Sequence, residues 1–181
     1  MEPMNDELFL FDRLWFPKVF KIAREAGLDW IRMCAIIEVL SNGDPRTRNL
    51  DWGFINEFMG SESPVFGPMY YDNGEPSIDI IDKGTRWGLF QIIGQVAVDN
   101  GHTGQLVNLT VPENNIKVAC YLLVKHINDI EAKLRKEFKP GEEPESIQKM
   151  AEKELGWPVD LIDEKVRELK AQMTNLLTFG D

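Results

Sequence analysis

Few side chains of this 181-residue chain have the types and spacing of a known catalytic or metal-binding motif. The two histidines, His102 and His126, have no cysteine or carboxylate at the spacing of a zinc ligand set. The run DNGE, from Asp72 to Glu75, is a fragment of a calcium-loop pattern and is more typical of a turn. The sequence has no phosphate-binding glycine loop and no dinucleotide fingerprint, and no arrangement of Ser, His and acid can be argued. It therefore predicts no metal and no cofactor.

Chemistry is indicated instead by three short motifs in a fixed order. Residues 35–45 read AIIEVLSNGDP, residues 86–94 read RWGLFQIIG, and residues 111–127 read VPENNIKVACYLLVKHI. Together they resemble the signature motifs of the lytic transglycosylase and goose-type lysozyme-like superfamily, in its phage-type SLT-like version. The resemblance covers residues 16–134 by pattern. It implies a mainly α, lysozyme-like (α+β) fold with a small loop and hairpin lobe, a glycan cleft, and cleavage of the MurNAc–GlcNAc β-1,4 bond of peptidoglycan.

The resemblance assigns roles to individual residues. Leu40 stands at the position of the family's catalytic glutamate, and Ser41 corresponds to the serine that follows and supports this acid. The positions that the resemblance places in contact with the glycan are Gly88, Leu89, Phe90, Gln91, Asn115 and Tyr121.

Leu40 removes the group that would do the cleaving. Breaking a glycosidic bond requires a proton from a carboxylic acid whose pKa is raised by a partly apolar site. Leucine has no such proton, so we expect this chain to be inactive or strongly impaired. Ser41 and Gln91 still match the family's residues, although Leu40 does not. A deliberate inactivating substitution and a natural pseudoenzyme are both open as explanations of Leu40.

No neighbouring carboxylate is expected to replace the acid. Glu38 lies two residues before Leu40, about 200° around the helix axis, and should point away from the cleft. Asp51 is the candidate stabiliser, at the end of the stretch where phage-type members often carry Arg-Tyr-Glu and this chain has Asn49-Leu50-Asp51. Nothing after Arg135 matches the family's Ala-Tyr-Asn motif.

The elements that position these residues are mostly helices. Residues 6–26 have helical spacing, with Pro17 as a break or a start and Gly27 as the end. Asp29 is expected to cap a nearly all-apolar helix from Trp30 to Leu40, which ends at residues 41–43. Residues 49–83 are expected to be loops with a small hairpin, including a short strand over 77–81, and residues 87–97 are expected to be a helix.

The C-terminal half is also predicted to be helical. Residues 110–113, TVPE, have the pattern of a capping box, which predicts a helix from there to about Arg135. Residues 139–144 are interpreted as a linker. Beyond it, apolar residues recur at alternating spacings of four and three, at Ile162, Val166, Leu169, Met173 and Leu176. This spacing predicts a helix that packs on another helix, and packing on the chain's own domain is favoured over a dimer seam. The predicted organisation is a lysozyme-like domain over 1–135 and a linker with extra C-terminal helices over 136–181, packed on it.

Composition restricts the partners. The net charge of −10 argues against nucleic acid, and no stretch is apolar enough to span a bilayer. The first residues lack the pattern of a signal peptide, so cytoplasmic synthesis is expected, with phage-encoded or virion-associated delivery to any cell wall. Cys34 and Cys120 lie among apolar residues and are expected to be buried thiols, with a disulfide between them left open.

Two functions follow as hypotheses. The first is a peptidoglycan-cleaving scaffold that binds peptidoglycan or a chito-oligosaccharide and lacks its acid. The second is a non-enzymatic pseudoenzyme, such as a phage virion or partner-binding protein. In that case the acidic segment 61–110 and the C-terminal helices would form the partner surface.

Overall fold

A computed structural model describes residues 13–59, 71–72, 75–76, 78–137 and 147–178 of the chain. The prediction of a mainly α protein is confirmed. The helices are α1 (Phe16–Glu25), α2 (Trp30–Ser41), α3 (Trp52–Met59), α4 (Ile78–Gly84), α5 (Gly94–Asp99), α6 (Pro112–Glu137), α7 (Ile147–Glu154) and α8 (Val159–Thr178). The strands are β1 (Arg48–Leu50), β2 (Tyr71–Asp72), β3 (Glu75–Pro76), β4 (Thr85–Trp87) and β5 (Ile92–Ile93).

Helix α2 forms as its sequence predicts. The Asp29 carboxylate accepts hydrogen bonds from the backbone N–H groups of Ile31 and Arg32, at 2.9 and 3.3 Å, and so satisfies the first free donors of the helix. The helix ends where Asn42 adopts a left-handed conformation, with φ of 50°, followed by Gly43 with φ of 71°. The interior of α2 is buried on nearly every side, so it is the central helix of the core.

The predicted helix over residues 87–97 is wrong in its first half. Strands β1, β4 and β5 form an antiparallel sheet with β4 in the middle, and only residues 94–99 are helical. The backbone between β4 and β5 has positive φ at Gly88, 70°, and at Gln91, 48°. A right-handed helix cannot pass through these two residues, so the chain reverses there as a hairpin.

The region between α2 and β4 also contains more helix than predicted. The expected strand over 77–81 is wrong, because α4 covers Ile78–Gly84. Helix α4 packs between α3 and α5, and such tertiary contacts override the strand preference of three isoleucines. The expected small hairpin is confirmed by the antiparallel pair β2 and β3. The acidic side chains between residues 61 and 80 lie outside the described residues.

Helix α6 begins at Pro112 without the predicted capping box. The Thr110 hydroxyl donates to the Val107 carbonyl at 2.7 Å, inside a short 3-10 helix over Leu106–Thr110. It is therefore not the cap of α6. The helix ends close to the predicted position, and its buried face includes Ile116, Cys120, Leu123 and Ile130.

Both cysteines are buried and free, so the alternative of a disulfide is wrong. Burial raises the pKa of the Cys120 thiol to about 12. Burial, with the charges of Glu38 and Asp29, raises the pKa of the Cys34 thiol to about 12 as well. Neither is a nucleophile at neutral pH.

The C-terminal helices belong to the same core as the rest of the chain. Helix α8 packs on α2, and α7 packs on α6. Ile162 and Leu169 of the predicted seam are buried in this core, with Val166 half-buried against it, so the seam packs on its own chain. The predicted linker over 139–144 lies outside the described residues. No helix in the described part of the chain is both long and apolar enough to cross a membrane.

A buried ionic network joins these helices to α2. The Arg32 guanidinium donates to both carboxylate oxygens of Glu152, at 2.6 and 2.5 Å, and to Asp163 at 2.6 Å. The Glu152 side chain is fully buried. Burial lowers the pKa of Arg32, but the carboxylates of Glu152 and Asp163 outweigh it, so the pKa of Arg32 is raised. Lys149 pairs with the second oxygen of Asp163.

Replacing Arg32→Ala should lower the free energy of unfolding by about 3–5 kcal/mol, because it leaves the buried Glu152 carboxylate unpaired. Urea unfolding measures this loss. The matched control is Arg46→Ala, since Arg46 pairs with Asp44 while 85% exposed and should contribute under about 0.5 kcal/mol. Equal losses for the two variants would contradict the importance of the buried network.

Candidate functional site

The end of α2 carries the position at which chemistry was expected. Leu40 is half-buried and packs against the core, whereas Ser41 is buried. The Ser41 hydroxyl donates to the Ile37 carbonyl at 3.0 Å, within its own helix. Ser41 thus stabilises the last turn of α2 in this structure, and Leu40 sits in that turn.

Gln91 connects the β4–β5 turn to the segment that follows α2. Its amide nitrogen donates to the carbonyls of Gly88, at 2.7 Å, and Thr47, at 3.2 Å. Its amide oxygen accepts from Asn49 at 2.6 Å, and Thr47 in turn donates to the Ser41 carbonyl at 3.5 Å. We call Ser41, Thr47, Asn49, Gly88 and Gln91 the junction. It places the turn beside the end of α2 and uses both ends of the Gln91 amide.

Asn115 fixes the conformation of the β4–β5 turn. The side chain is fully buried, its oxygen accepts from the Phe90 N–H at 2.8 Å, and its nitrogen donates to the Trp87 carbonyl at 2.9 Å. Leu89 and Phe90 are also fully buried, and Phe90 packs on Trp157 with ring centroids 5.8 Å apart. These three residues therefore shape the turn from inside, rather than presenting side chains to a ligand.

Asp51 is held as a structural carboxylate. It accepts from the Phe54 N–H at 2.9 Å, at the start of α3, and from Arg86 Nε at 2.8 Å. Burial raises the pKa of Asp51, but the Phe54 N–H and the Arg86 guanidinium outweigh it, so the pKa is lowered. Asp51 is accordingly ionised at neutral pH and cannot donate a proton there.

Glu38 lies on another side of α2 from the junction. It is paired with Arg13 Nε at 3.9 Å, beside Gly43, whose carbonyl accepts from the Trp15 indole at 2.9 Å. Burial raises the pKa of Glu38, more than Arg13 and Lys165 lower it. Its ion-pair partner Arg13 comes from the segment before α1, and Lys165 comes from α8, so Glu38 faces neither Gln91 nor Asn49.

Tyr121 is not brought to the junction. It is 55% exposed on α6 and lines an open surface pocket together with Asn100, His102 and Asn114. None of the residues lining that pocket belongs to the junction. The structure therefore groups Ser41, Gly88 and Gln91 near the end of α2, with Asn115 behind the β4–β5 turn, and it leaves Tyr121 at a separate surface.

Two features near the junction had no clear sequence signal. Asn49 counted as a departure from the family's pattern, yet it holds the Gln91 amide. A second pocket, of about 400 Å³, begins at Gln91 and Arg86 and reaches His126 and Glu154. The last two residues are 28 positions apart, so no local spacing could relate them. No cluster of three metal-ligating side chains occurs within the described residues.

Gly88→Ala tests how tightly the turn is built. A Cβ atom at Gly88 would clash with the Leu109 carbonyl oxygen and crowd the Asn115 amide, in a backbone with positive φ. We expect a loss of about 2–5 kcal/mol in the free energy of unfolding, from strain and overpacking together.

Gly101→Ala is the control, because Gly101 also has positive φ, 91°, but nothing within 4 Å of an added Cβ. It should cost only about 1 kcal/mol of conformational strain. Chemical denaturation of both variants gives the comparison, and a Gly88 variant as stable as the Gly101 variant would argue against a closely packed turn.

Comparison of the chain with protein-family models, with curated proteins and with solved structures finds no match.

Proposed function

We propose that this chain is a lysozyme-like scaffold of the lytic transglycosylase type, with a glycan-binding cleft at the end of α2 and no catalytic acid. The observation that supports it most is the junction. Three motifs that are far apart in sequence are connected by hydrogen bonds: Thr47 links Ser41 to Gln91, and Asn115 bonds directly to the turn that carries Gln91. Their order, and their connection through the β4–β5 turn beside the end of α2, support a glycan cleft of this type.

The missing acid limits the chemistry. Position 40 is half-buried in the last turn of an apolar helix, a setting that would raise the pKa of a carboxyl group there. Leu40 supplies no proton to a leaving oxygen. Asp51 has a lowered pKa and Glu38 faces Arg13, so neither takes its place. The proposed activity of the chain as written is therefore binding of N-acetylated glycan, with cleavage absent or strongly impaired.

A second candidate is a non-enzymatic protein that uses the fold for assembly or partner binding. One observation favours it. Both ends of the Gln91 amide are consumed by the junction, and Leu89, Phe90 and Asn115 are buried, so most of the expected glycan contacts are internal. In that case the three motifs would hold the turn and would not contact a sugar.

The test is to restore the acid. Leu40→Glu should clear purified peptidoglycan, at a rate at least about 100-fold above that of the native chain, because a positioned general acid contributes that much or more. The matched control is Leu40→Gln, because glutamine has nearly the same shape as glutamate and no acidic proton. It should be as inactive as the native chain.

Both variants should be checked for folding by circular dichroism, since each places a polar group in a half-buried site and should be less stable than the native chain. If folded Leu40→Glu neither clears peptidoglycan nor binds a chito-oligosaccharide, the glycosidase scaffold is refuted and the non-enzymatic candidate replaces it.

A further inference from the structure

A pocket of about 400 Å³ lies between the β4–β5 hairpin, α6 and the segment after α7. Its volume is within the range of sites that hold small molecules. Most of its wall is apolar, with Phe54, Ile93 and Trp157 among the lining side chains. The segment after α7 contributes Leu155 and Trp157, so the pocket exists only because the C-terminal helices pack on the rest of the chain.

The polar end of this pocket is a histidine held by a carboxylate. His126 Nδ1 lies 2.9 Å from Glu154 Oε2, with the two side chains 30% and 41% exposed. The other oxygen of Glu154 lies 3.9 Å from Lys133. An ionised carboxylate accepts hydrogen bonds only, so Nδ1 must carry the proton in this contact. When the ring is neutral, Nε2 is therefore the acceptor, and it has no hydrogen bond to any described residue.

The other polar groups of the pocket already have partners. The Gln91 amide is used at both ends by the junction. Arg86 is paired with Asp51 through Nε at 2.8 Å and Nη2 at 2.6 Å. The charges are thus matched in pairs, Arg86 with Asp51 and Glu154 with Lys133. A ligand with a net charge would gain little here, and the acceptor that remains calls for one hydrogen-bond donor.

We propose that this pocket binds a small, neutral, mainly apolar compound that carries a hydroxyl group, such as a phenol, with the hydroxyl donating to Nε2 of His126. Phe54 and Trp157 offer aromatic walls for a ring, and Glu154 keeps the histidine in the accepting tautomer. This site goes beyond the proposed glycan function and does not depend on it, because its recognising groups lie on α6 and at the end of α7.

The test compares p-cresol with toluene, which has nearly the same shape and no hydroxyl, by NMR titration of the native chain. p-Cresol should bind roughly five-fold more tightly, the worth of one hydrogen bond in a partly dry site. His126→Leu keeps the pocket apolar and removes the acceptor. The affinity for p-cresol should then fall to that for toluene, and the affinity for toluene should not change. His102→Leu, at the other histidine, should leave both affinities as they are.

The native chain also reports the location directly, whatever the folding of the variants. At saturating p-cresol the ring signals of His126 and the indole N–H of Trp157 should shift, and those of His102 should not. Equal affinities for p-cresol and toluene, tighter binding of benzoate than of p-cresol, shifts confined to other residues, or no saturable binding would each overturn the proposal. Because no glycan is used, none of these results bears on peptidoglycan binding.

Discussion

The structure depends on one buried cation. Arg32, in the first turn of α2, is bonded to Glu152 of α7 and Asp163 of α8, and it is the only cation of this mainly apolar helix. The desolvation cost of burying these charged groups is offset because each is paired with an opposite charge. A guanidinium with two carboxylates has strict geometric demands, so the network fixes where α7 and α8 pack. The apolar contacts of α8 on α2 then complete the core.

The two ends of α2 consequently serve different purposes. Near its start, Arg32 holds the C-terminal helices, which bring Glu154 and Trp157 to the pocket beside His126. Its end carries Leu40 and leads into the junction, where Gln91 holds the β4–β5 turn that Asn115 fixes from the other side. Backbone carbonyls, the Thr47 hydroxyl and the amide side chains of Asn49 and Gln91 make the hydrogen bonds of the junction, and the Leu40 side chain makes none of them. A change at position 40 can therefore leave the hydrogen bonds of the junction intact.

Local signals allowed α2 and α6 to be predicted, and long-range contacts account for most of what was missed. Asp29, Asn42 and Gly43 mark the limits of α2 in the sequence itself. The β4–β5 turn was mistaken for a helix because its apolar residues have helical spacing, and the positive φ of Gln91 is imposed by partners such as Asn49. Arg32 is one of two charged residues in the apolar sequence of α2, but its partners are 120 and 131 residues away. The pairing of His126 with Glu154 depends on how α7 packs, which no spacing encodes.

The most direct test of the central claim is to titrate the native chain with tetra-N-acetylchitotetraose and follow its backbone amides by NMR. A preserved cleft without an acid predicts saturable shifts at residues 40–47 and 88–91, with the saccharide recovered uncleaved. Shifts confined to the exposed surface around Tyr121, or no saturable shift at all, would contradict the assignment of a glycan cleft to the end of α2.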